Sequence, residues 1–383
     1  ISMNIMDIFV KRILAYLGKK TLRFRRVGIK IITVIGARPQ FIKASSVSRE
    51  FLNYSAVEEV VIHTGQHYDE NMSDIFFSEL QIESPKYLLA IGGLTHGQMI
   101  GRMIEQIEEI CLKERPDWIL VYGDTNSTLA GALVARKLNI KLAHVEAGLR
   151  SYNMSMPEEV NRILTDRISN ILFCPTPAAV SNLKREGYDS FTAKIMNVGD
   201  VMLDSTLFYQ DRAIKPKIEI NDHFILATVH RAENLNSEDK IRSIFKALSL
   251  ISEEQQVIVP LHPHTRKICK DLSIDVSNLT VIDPVGYLQM IWLIKHCSVV
   301  VTDSGGLQKE AFFSKKQCIT LRDETEWVEL VENNFNVLVG ADTHAVSAAV
   351  SNHPLIDVDF DIPLYGDGTA SIKIAQALVT FQE

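Results

Sequence analysis

Hydrophobic and polar positions change their pattern once along this chain. Between Asn4 and Leu17, Ile5, Ile8, Phe9, Ile13 and Tyr16 recur at helical spacing. A basic run follows, Lys19, Lys20, Arg23, Arg25, Arg26 and Lys30, and no Asp or Glu occurs between Asp7 and Glu50. We read residues 1–28 as an accessory amphipathic and basic extension packed on the surface. The alternative is membrane contact, with Ile5, Phe9 and Ile13 immersed beside lipid phosphates, but the polar stripe of an interfacial helix is missing. A secretory signal would need a longer uncharged core and a small-residue cleavage site, and neither is present.

From Ile29 onward, short apolar runs alternate with helical segments. The runs Lys30–Ile35, Glu59–His63, Trp118–Tyr122, Lys141–Val145 and Ile171–Cys174 are rich in Ile, Val and Leu without polar alternation. That is the signature of parallel strands covered on both faces. Helical segments such as 94–114 and 127–137 separate them. After Gly199 a second series begins, with strands Phe224–Val229, Gln256–Pro260, Thr280–Ile282, Ser298–Thr302 and Gln317–Thr320 and helices such as 237–252 and 288–296. Two successive βαβ series predict an α/β protein with two doubly wound parallel-sheet domains facing a cleft.

Composition narrows the function classes. Of the 383 residues, 46% are hydrophobic and 23% charged, ordinary for a folded globular chain. A formal net charge of −7 argues against a nucleic-acid surface. The apolar stretches Met290–Ile294 and Ser298–Val301 are interrupted by Lys295 and His296, far short of a membrane span. The cysteines, Cys111, Cys174, Cys269, Cys297 and Cys318, are dispersed and odd in number. They suggest a reducing, cytoplasmic compartment and neither a disulfide framework nor a zinc ribbon.

In such sheets ligands gather at the carboxyl ends of the strands. The first strand ends in Gly36–Lys43, a tight turn into a helix where Arg38 and Lys43 suit a phosphate or carboxylate. It lacks the dinucleotide fingerprint, so no cofactor is expected. Asp124 follows the third strand and is either a helix cap or a functional acid. Glu146 follows the fourth, and Glu is a poor cap. Glu158 and Arg162 stand four apart and can pair on one helix face. Asp124, Glu146 and Glu158 together form a carboxylate cluster suited to acid–base work.

In the second series His230 follows the first strand and is either a core histidine or a ligand contact. His262 and His264 look like a metal pair, but no carboxylate lies at metal-motif spacing, so no metal is expected. Ser304, Gly305 and Gly306 open a helix whose free N–H groups suit phosphate oxygens, with Glu310 placed to accept ribose hydroxyls.

Taken in order, Gly36–Lys43, Thr64–His67, Gly123–Thr128, His144–Arg150, Pro157–Arg162, Thr228–Asn234 and Asp303–Glu310 resemble the non-hydrolysing UDP-N-acetylglucosamine 2-epimerase family. The resemblance runs from Lys30 to nearly the end of the chain. It implies a GT-B-like pair of Rossmann-like domains, residues 29–196 and a UDP-binding 197–367, with a C-terminal helix at 368–383 that can join the first. It further implies a cytoplasmic homodimer that interconverts UDP-sugars at C2 for polysaccharide synthesis, without cofactor or metal.

The implied catalytic residues are Asp124, Glu146, Glu158 and His230, and the implied UDP-sugar contacts are Arg38, Lys43, Arg162, His230, Ser304, Gly305, Gly306 and Glu310. Two departures stand out. Trp327 occupies a place where many members carry Arg, and Tyr68-Asp69 follow His67 where well-known members carry a basic residue, which puts their allosteric substrate site in doubt. The chain looks more like the branch acting on UDP-2,3-diacetamido-2,3-dideoxyglucuronate, with Lys309 as an extra cation for an anionic substrate. A hydrolysing 2-epimerase, a GT-B glycosyltransferase and a non-catalytic UDP-sugar sensor share the scaffold and are the alternatives.

Overall fold

A computed structural model describes residues 28–66, 79–80, 84–353 and 358–381. The extension before Gly28 and the segment His67-Tyr68-Asp69 lie outside the described residues.

The first series runs β1 (Ile29–Ile35), α1 (Arg38–Phe51), β2 (Val57–His63), β3 (Tyr87–Leu88), α2 (His96–Glu114), β4 (Trp118–Tyr122) and α3 (Asn126–Lys137). It continues with β5 (Lys141–Val145), α4 (Pro157–Ile168), β6 (Ile171–Cys174), α5 (Pro177–Arg185), β7 (Lys194–Asn197) and α6 (Val201–Tyr209). The second runs β8 (Phe224–Thr228), α7 (Ala232–Leu235), α8 (Glu238–Ser252), β9 (Gln256–Pro260), α9 (Pro263–Asp271), β10 (Thr280–Ile282) and α10 (Tyr287–His296). It ends with β11 (Val299–Thr302), α11 (Gly305–Phe313), β12 (Cys318–Thr320), α12 (Val328–Glu332), β13 (Asn336–Leu338), α13 (Thr343–Asn352) and α14 (Ala370–Thr380).

Both sheets are parallel throughout, in the orders β3-β2-β1-β4-β5-β6-β7 and β10-β9-β8-β11-β12-β13. These are the two doubly wound sheets that the apolar runs predict. Each strand feeds two cores by simple alternation. Ile31, Ile35, Trp118, Leu120 and Tyr122 enter one cluster with α1, while Ile32, Val34, Ile119 and Val121 enter another with α2 and α3. The second sheet divides Ile225, Ala227, Val299 and Val301 from Phe224, Leu226 and Val300 in the same way. With apolar cover on both faces, no polar alternation survives in the sequence.

The strands β3, β7 and β13 are absent from the sequence reading. Each has two to four residues and lies at or next to a sheet edge. β3 and β7 carry exposed Leu88, Lys194 and Asn197, so neither makes an unbroken apolar run.

The two series are not packed separately. Tyr287, Leu288 and Ile291 of α10 share the first core with α1, and Phe312, Phe313 and Trp327 join Leu149, Leu172 and Leu183 in another shared cluster. Helix α14 follows the whole second sheet, yet Ile374, Ala375, Ala377 and Leu378 pack in the first core.

Strand order reverses between β1 and β4 and again between β8 and β11. Ligands of open α/β sheets bind beyond the carboxyl ends of such strand pairs. Arg38 and Asp124 follow the first pair, and His230 and Ser304 follow the second.

Packing of α14 makes a direct stability test. Ile374 is 0% exposed and Ile372 is 37% exposed. Ile374→Ala should destabilise the protein by about 2–5 kcal/mol and Ile372→Ala by less than about 1 kcal/mol. Urea unfolding checks this, and equal effects would contradict the packing.

Candidate active site

The β1–α1 turn is built by steric necessity. A Cβ on Gly36 would lie 2.0 Å from Thr64 Oγ1 and 2.2 Å from Ser127 Oγ, where three strand ends converge. Gln40 fixes the turn: its Oε1 accepts from the Gly36 and Ala37 N–H groups at 2.8 and 3.0 Å, and its Nε2 donates to Tyr122 O at 2.7 Å. Arg38 is thereby aimed at the second sheet, where its Nη2 lies 3.4 Å from Val285 O. Burial lowers its pKa, against the opposing fields of Glu310 and Glu79.

A cavity of about 680 Å³ lies between the two sheets. Among the predicted residues, Arg38, His230, Ser304, Gly306 and Glu310 line it. Ser304 makes no side-chain cap on α11. The first-turn N–H groups of a helix have no partner within it, so α11 points donors at its N-terminal side. A Cβ on Gly306 would meet only Met202 Cε, at 3.9 Å, which leaves this helix start open.

The His230 loop is set by Asp303, a residue the sequence reading passed over. Its fully buried carboxylate accepts from the N–H groups of His230 and Arg231 at 3.1 and 3.0 Å and from Asn234 Nδ2 at 3.1 Å. The imidazole itself is exposed, with Nδ1 3.7 Å from Asp303 Oδ1, so the core-histidine alternative fails. His262 caps α9 by accepting from the His264 N–H at 3.3 Å, and both histidines line the cavity.

Glu310 is buried in the cavity wall. Burial raises its pKa to about 7, although Arg38 and Lys309 favour the ionised form.

The carboxylates beyond β4 and β5 are held by a second set of contacts. Glu146 has φ of 71°, an unusual left-handed conformation for a residue with a side chain. Its side chain is buried against two ammonium groups, Lys43 from α1 and Lys309 from α11. Burial alone would raise its pKa, but Lys309 and Lys43 outweigh that and hold it at about 2. Lys43 is absent from the cavity lining and is committed to Glu146.

Beneath this loop, His144 bridges the Asp166 carboxylate and Gly123 O at 2.7 Å each. Arg150 joins Asp166 at 2.7 Å and Glu186 at 2.7 and 2.8 Å. This buried network fixes the β4 and β5 loops relative to each other. Its sequence signal is His144, which interrupts the apolar run that follows Lys141 in β5.

Three sequence expectations need correction. Thr125, not Asp124, caps α3, since its hydroxyl accepts from the Thr128 N–H. Asp124 instead accepts from Arg162, whose partner on its own helix is Glu159, three residues away at 2.9 Å, and not Glu158. Helix phase explains the change: α4 turns Glu159 and Arg162 inward, and Glu159 also accepts the Ser151 and Tyr152 N–H groups. Glu158 is exposed on the first turn of α4, outside this ion-pair network. Finally, Lys309 is no spare cation for a substrate. It is 1% exposed and bonded to Glu146 and to Asp200.

Trp327 has a structural place as well. Its Nε1 donates to Gly305 O at 3.0 Å, and its ring lies 4.1 Å from Lys309 Nζ. Apart from Glu158, which is exposed, and Gly305, which faces Glu326 and is not in the cavity lining, the predicted residues form two adjoining groups. One is a cavity with Arg38, His230, Ser304, Gly306 and Glu310. The other holds Asp124 with Arg162 and Glu146 with Lys43. Lys309 and Glu310, neighbours on α11, join the two.

Comparison with known proteins gives consistent matches. A family profile described as UDP-N-acetylglucosamine 2-epimerase matches residues 49–379. The chain is 54% identical over 352 residues to the UDP-2,3-diacetamido-2,3-dideoxy-D-glucuronate 2-epimerase of Pseudomonas aeruginosa, across 91% of this chain and 99% of that protein. It is 44% identical over 339 residues to the UDP-N-acetylglucosamine 2-epimerase of Methanocaldococcus jannaschii, across 84% and 91%.

Among solved structures, the Methanocaldococcus jannaschii UDP-GlcNAc 2-epimerase in complex with UDP-GlcNAc and UDP superposes with a TM-score of 0.83 and 40% identity, covering 91% of this chain and 99% of that one. The Neisseria meningitidis UDP-GlcNAc 2-epimerase bound to UDP-GlcNAc gives 0.83 at 29% identity, covering 92% and 100%.

Glu310 offers a pH test of the cavity. Its folded pKa of about 7 exceeds the ordinary value of 4.5, so the folded state holds this proton more tightly than the unfolded state. The stability gained from that proton is full below about pH 4.5 and is lost as pH rises through about 7. Glu310→Gln should remove this component, giving a smaller fall in urea midpoint between about pH 5 and about pH 8 than wild type. Parallel pH profiles would show that the carboxyl is not held as described.

Proposed function

As the chain belongs to the UDP-N-acetylglucosamine 2-epimerase family, we propose that it inverts C2 of a UDP-2-acetamido sugar by eliminating UDP and adding it back. The observation that carries this reading is the adjacency of the two groups. A phosphate-suited cavity, with Arg38 from one sheet and His230, Ser304 and Glu310 from the other, adjoins carboxylates at the β4 and β5 ends, Glu146 being bonded to Lys309 beside Glu310.

The chemistry needs both. As the anomeric C–O bond breaks, its electron pair leaves with UDP, and fixed donors stabilise the growing charge. Arg38, His230 and the α11 N–H groups at Gly305 and Gly306 serve there, while Glu310 accepts the ribose hydroxyls. Positive character at C1 acidifies the C2 proton. A carboxylate removes it, and the C–H electron pair becomes the C1–C2 double bond of a glycal. Protonation on the opposite face and return of UDP to C1 complete the inversion. Two faces need two proton carriers, and Asp124, Glu146 and Glu158 are the groups we assign. Arg162 holds Asp124, Lys43 holds Glu146, and Glu158 is exposed on the first turn of α4. No step requires a redox cofactor.

For the substrate we favour UDP-2,3-diacetamido-2,3-dideoxyglucuronate, with UDP-N-acetylglucosamine second. The support is the 54% identity to the Pseudomonas aeruginosa enzyme against 44% to the Methanocaldococcus jannaschii one. Residues 29–196 and 197–367 are the domains we expect to close on it, with α14 serving the first. The finer reading is a cytoplasmic homodimer in surface-polysaccharide synthesis. Five free, buried cysteines are in keeping with a reducing compartment.

Proton NMR of each UDP-sugar with the protein in deuterated water tests the reaction. Deuterium should enter C2 of the epimer, because a carboxylate exchanges its proton with solvent. Full retention of the original hydrogen would point to transient oxidation instead. Asp124→Asn, Glu146→Gln and Glu158→Gln should each lose at least about 10²-fold in turnover while still binding UDP. Three variants at wild-type rate would refute the assignment.

His230→Ala separates leaving-group contacts from proton transfer. It should weaken UDP binding and reduce the compaction that UDP produces on closing the cleft, read by titration calorimetry and small-angle scattering. Unchanged UDP affinity would remove His230 from the site.

A further inference from the structure

We propose that Lys309 is a positioning residue for Glu146: a cation supplied by the second sheet's helix that fixes the proton carrier of the first. The inference rests on the assignment of Glu146 to proton transfer, and it gives Lys309 a role distinct from substrate contact.

The geometry leaves Lys309 little else to do. An ammonium has three N–H donors. One meets Asp200 Oδ2 at 2.5 Å and one meets Glu146 Oε1 at 2.9 Å. The Trp327 ring covers Nζ with its centroid 4.1 Å away, a cation–π contact that also excludes water. The side chain is 1% exposed, so it cannot reach into the cavity without losing both carboxylates. Asp200 is itself anchored, because its Oδ1 caps α6 by accepting from the Met202 N–H at 2.8 Å.

Glu146 is complementary. One oxygen faces Lys309 from α11, and the other faces Lys43 from α1. The Gly123 turn closes against the second oxygen, 3.3 Å from where a Cβ would stand. These are the charged groups that face the carboxylate. Two positive and two negative side chains balance within a largely buried cluster. A C2 proton beside a cationic C1 is acidic, so its acceptor needs little basicity. It does need to be ionised and aimed, and two opposed ammonium groups supply both.

The sign of the effect follows. Removing one of two nearby cations disfavours the carboxylate form and raises the pKa of Glu146. A base that must be ionised then fails at higher pH, so the acidic limb of kcat moves upward. UDP contacts are elsewhere, so KM should change little.

The experiment compares Lys309→Met, Lys309→Arg and the double variant Lys309→Met/Asp200→Asn, using whichever of the two UDP-sugars the wild type epimerises. The double variant removes one charge of each sign and keeps the Oδ1 that caps α6, so it guards against simple misfolding. We expect kcat to fall at least about tenfold and its acidic limb to rise by about one pH unit in both Met variants, with KM and UDP affinity within about threefold. Lys309→Arg should recover part of the rate.

A folded double variant with wild-type kcat and pH profile would overturn the proposal. So would a lost rate with an unmoved acidic limb, which assigns Lys309 to structure alone. Glu146→Gln distinguishes the two levels. If it is inactive while the Lys309 variants match wild type, only the positioning role falls. If it turns over normally, the assignment of Glu146 falls and this inference with it.

Discussion

Four buried charges, Lys43, Glu146, Lys309 and Asp200, tie the two sheets together. Removing an ion from water costs several kcal/mol even after the protein relaxes, and only close pairing offsets it. Each of these side chains is at most 10% exposed, so none can recover hydration if the pairing slips. Lys43 comes from α1, Glu146 from the end of β5, Asp200 from the start of α6 and Lys309 from α11. Their balance therefore fixes the register of four elements drawn from both sheets. A buried ion whose partner is lost typically destabilises by about 3–5 kcal/mol, which penalises any arrangement of the sheets that separates them. The apolar clusters shared by α1 with α10, and by β6 and α5 with α11, supply area at the same junction without selecting one register so sharply.

Topology then decides where chemistry is available. The central strands are covered on both faces, so functional side chains there have access only at the strand ends. The strand-order reversals leave open crevices at β1/β4 and β8/β11, and the turns there are immobilised by Gln40 and Asp303. Binding and proton-transfer groups thus stand on separate turns with separate supports. Glu310 and Lys309 are consecutive residues, yet one faces the cavity and the other the carboxylate, so a shift of α11 moves both together.

Much of this was legible in the sequence. The long central strands announce themselves as unbroken apolar runs, and the turns that follow them carry nearly all the polar residues discussed above. What escaped was whatever depends on distant partners. Short β3, β7 and β13 owe their existence to neighbours already in place. Choosing Glu159 over Glu158 as the partner of Arg162 required the rotational phase of α4, which spacing of three or four residues does not settle. Asp303 and Gln40 act on backbone N–H groups, which leave no trace in composition. Lys309 looked like a free cation because its partners, Asp200 and Glu146, are far from it in the chain. Trp327, read as a missing charge, is a cover for that lysine.

Helix α14 carries a consequence for how the molecule is made. Its apolar face belongs to the first core, but it is synthesised after every strand of the second sheet. The earlier half of the chain therefore leaves the ribosome with a hydrophobic groove beside α1 still uncovered. Closure of that groove is a contact of very high sequence separation, the kind that slows folding and leaves intermediates exposed to aggregation. The first core is completed only when α14 arrives, so this helix acts as its clasp.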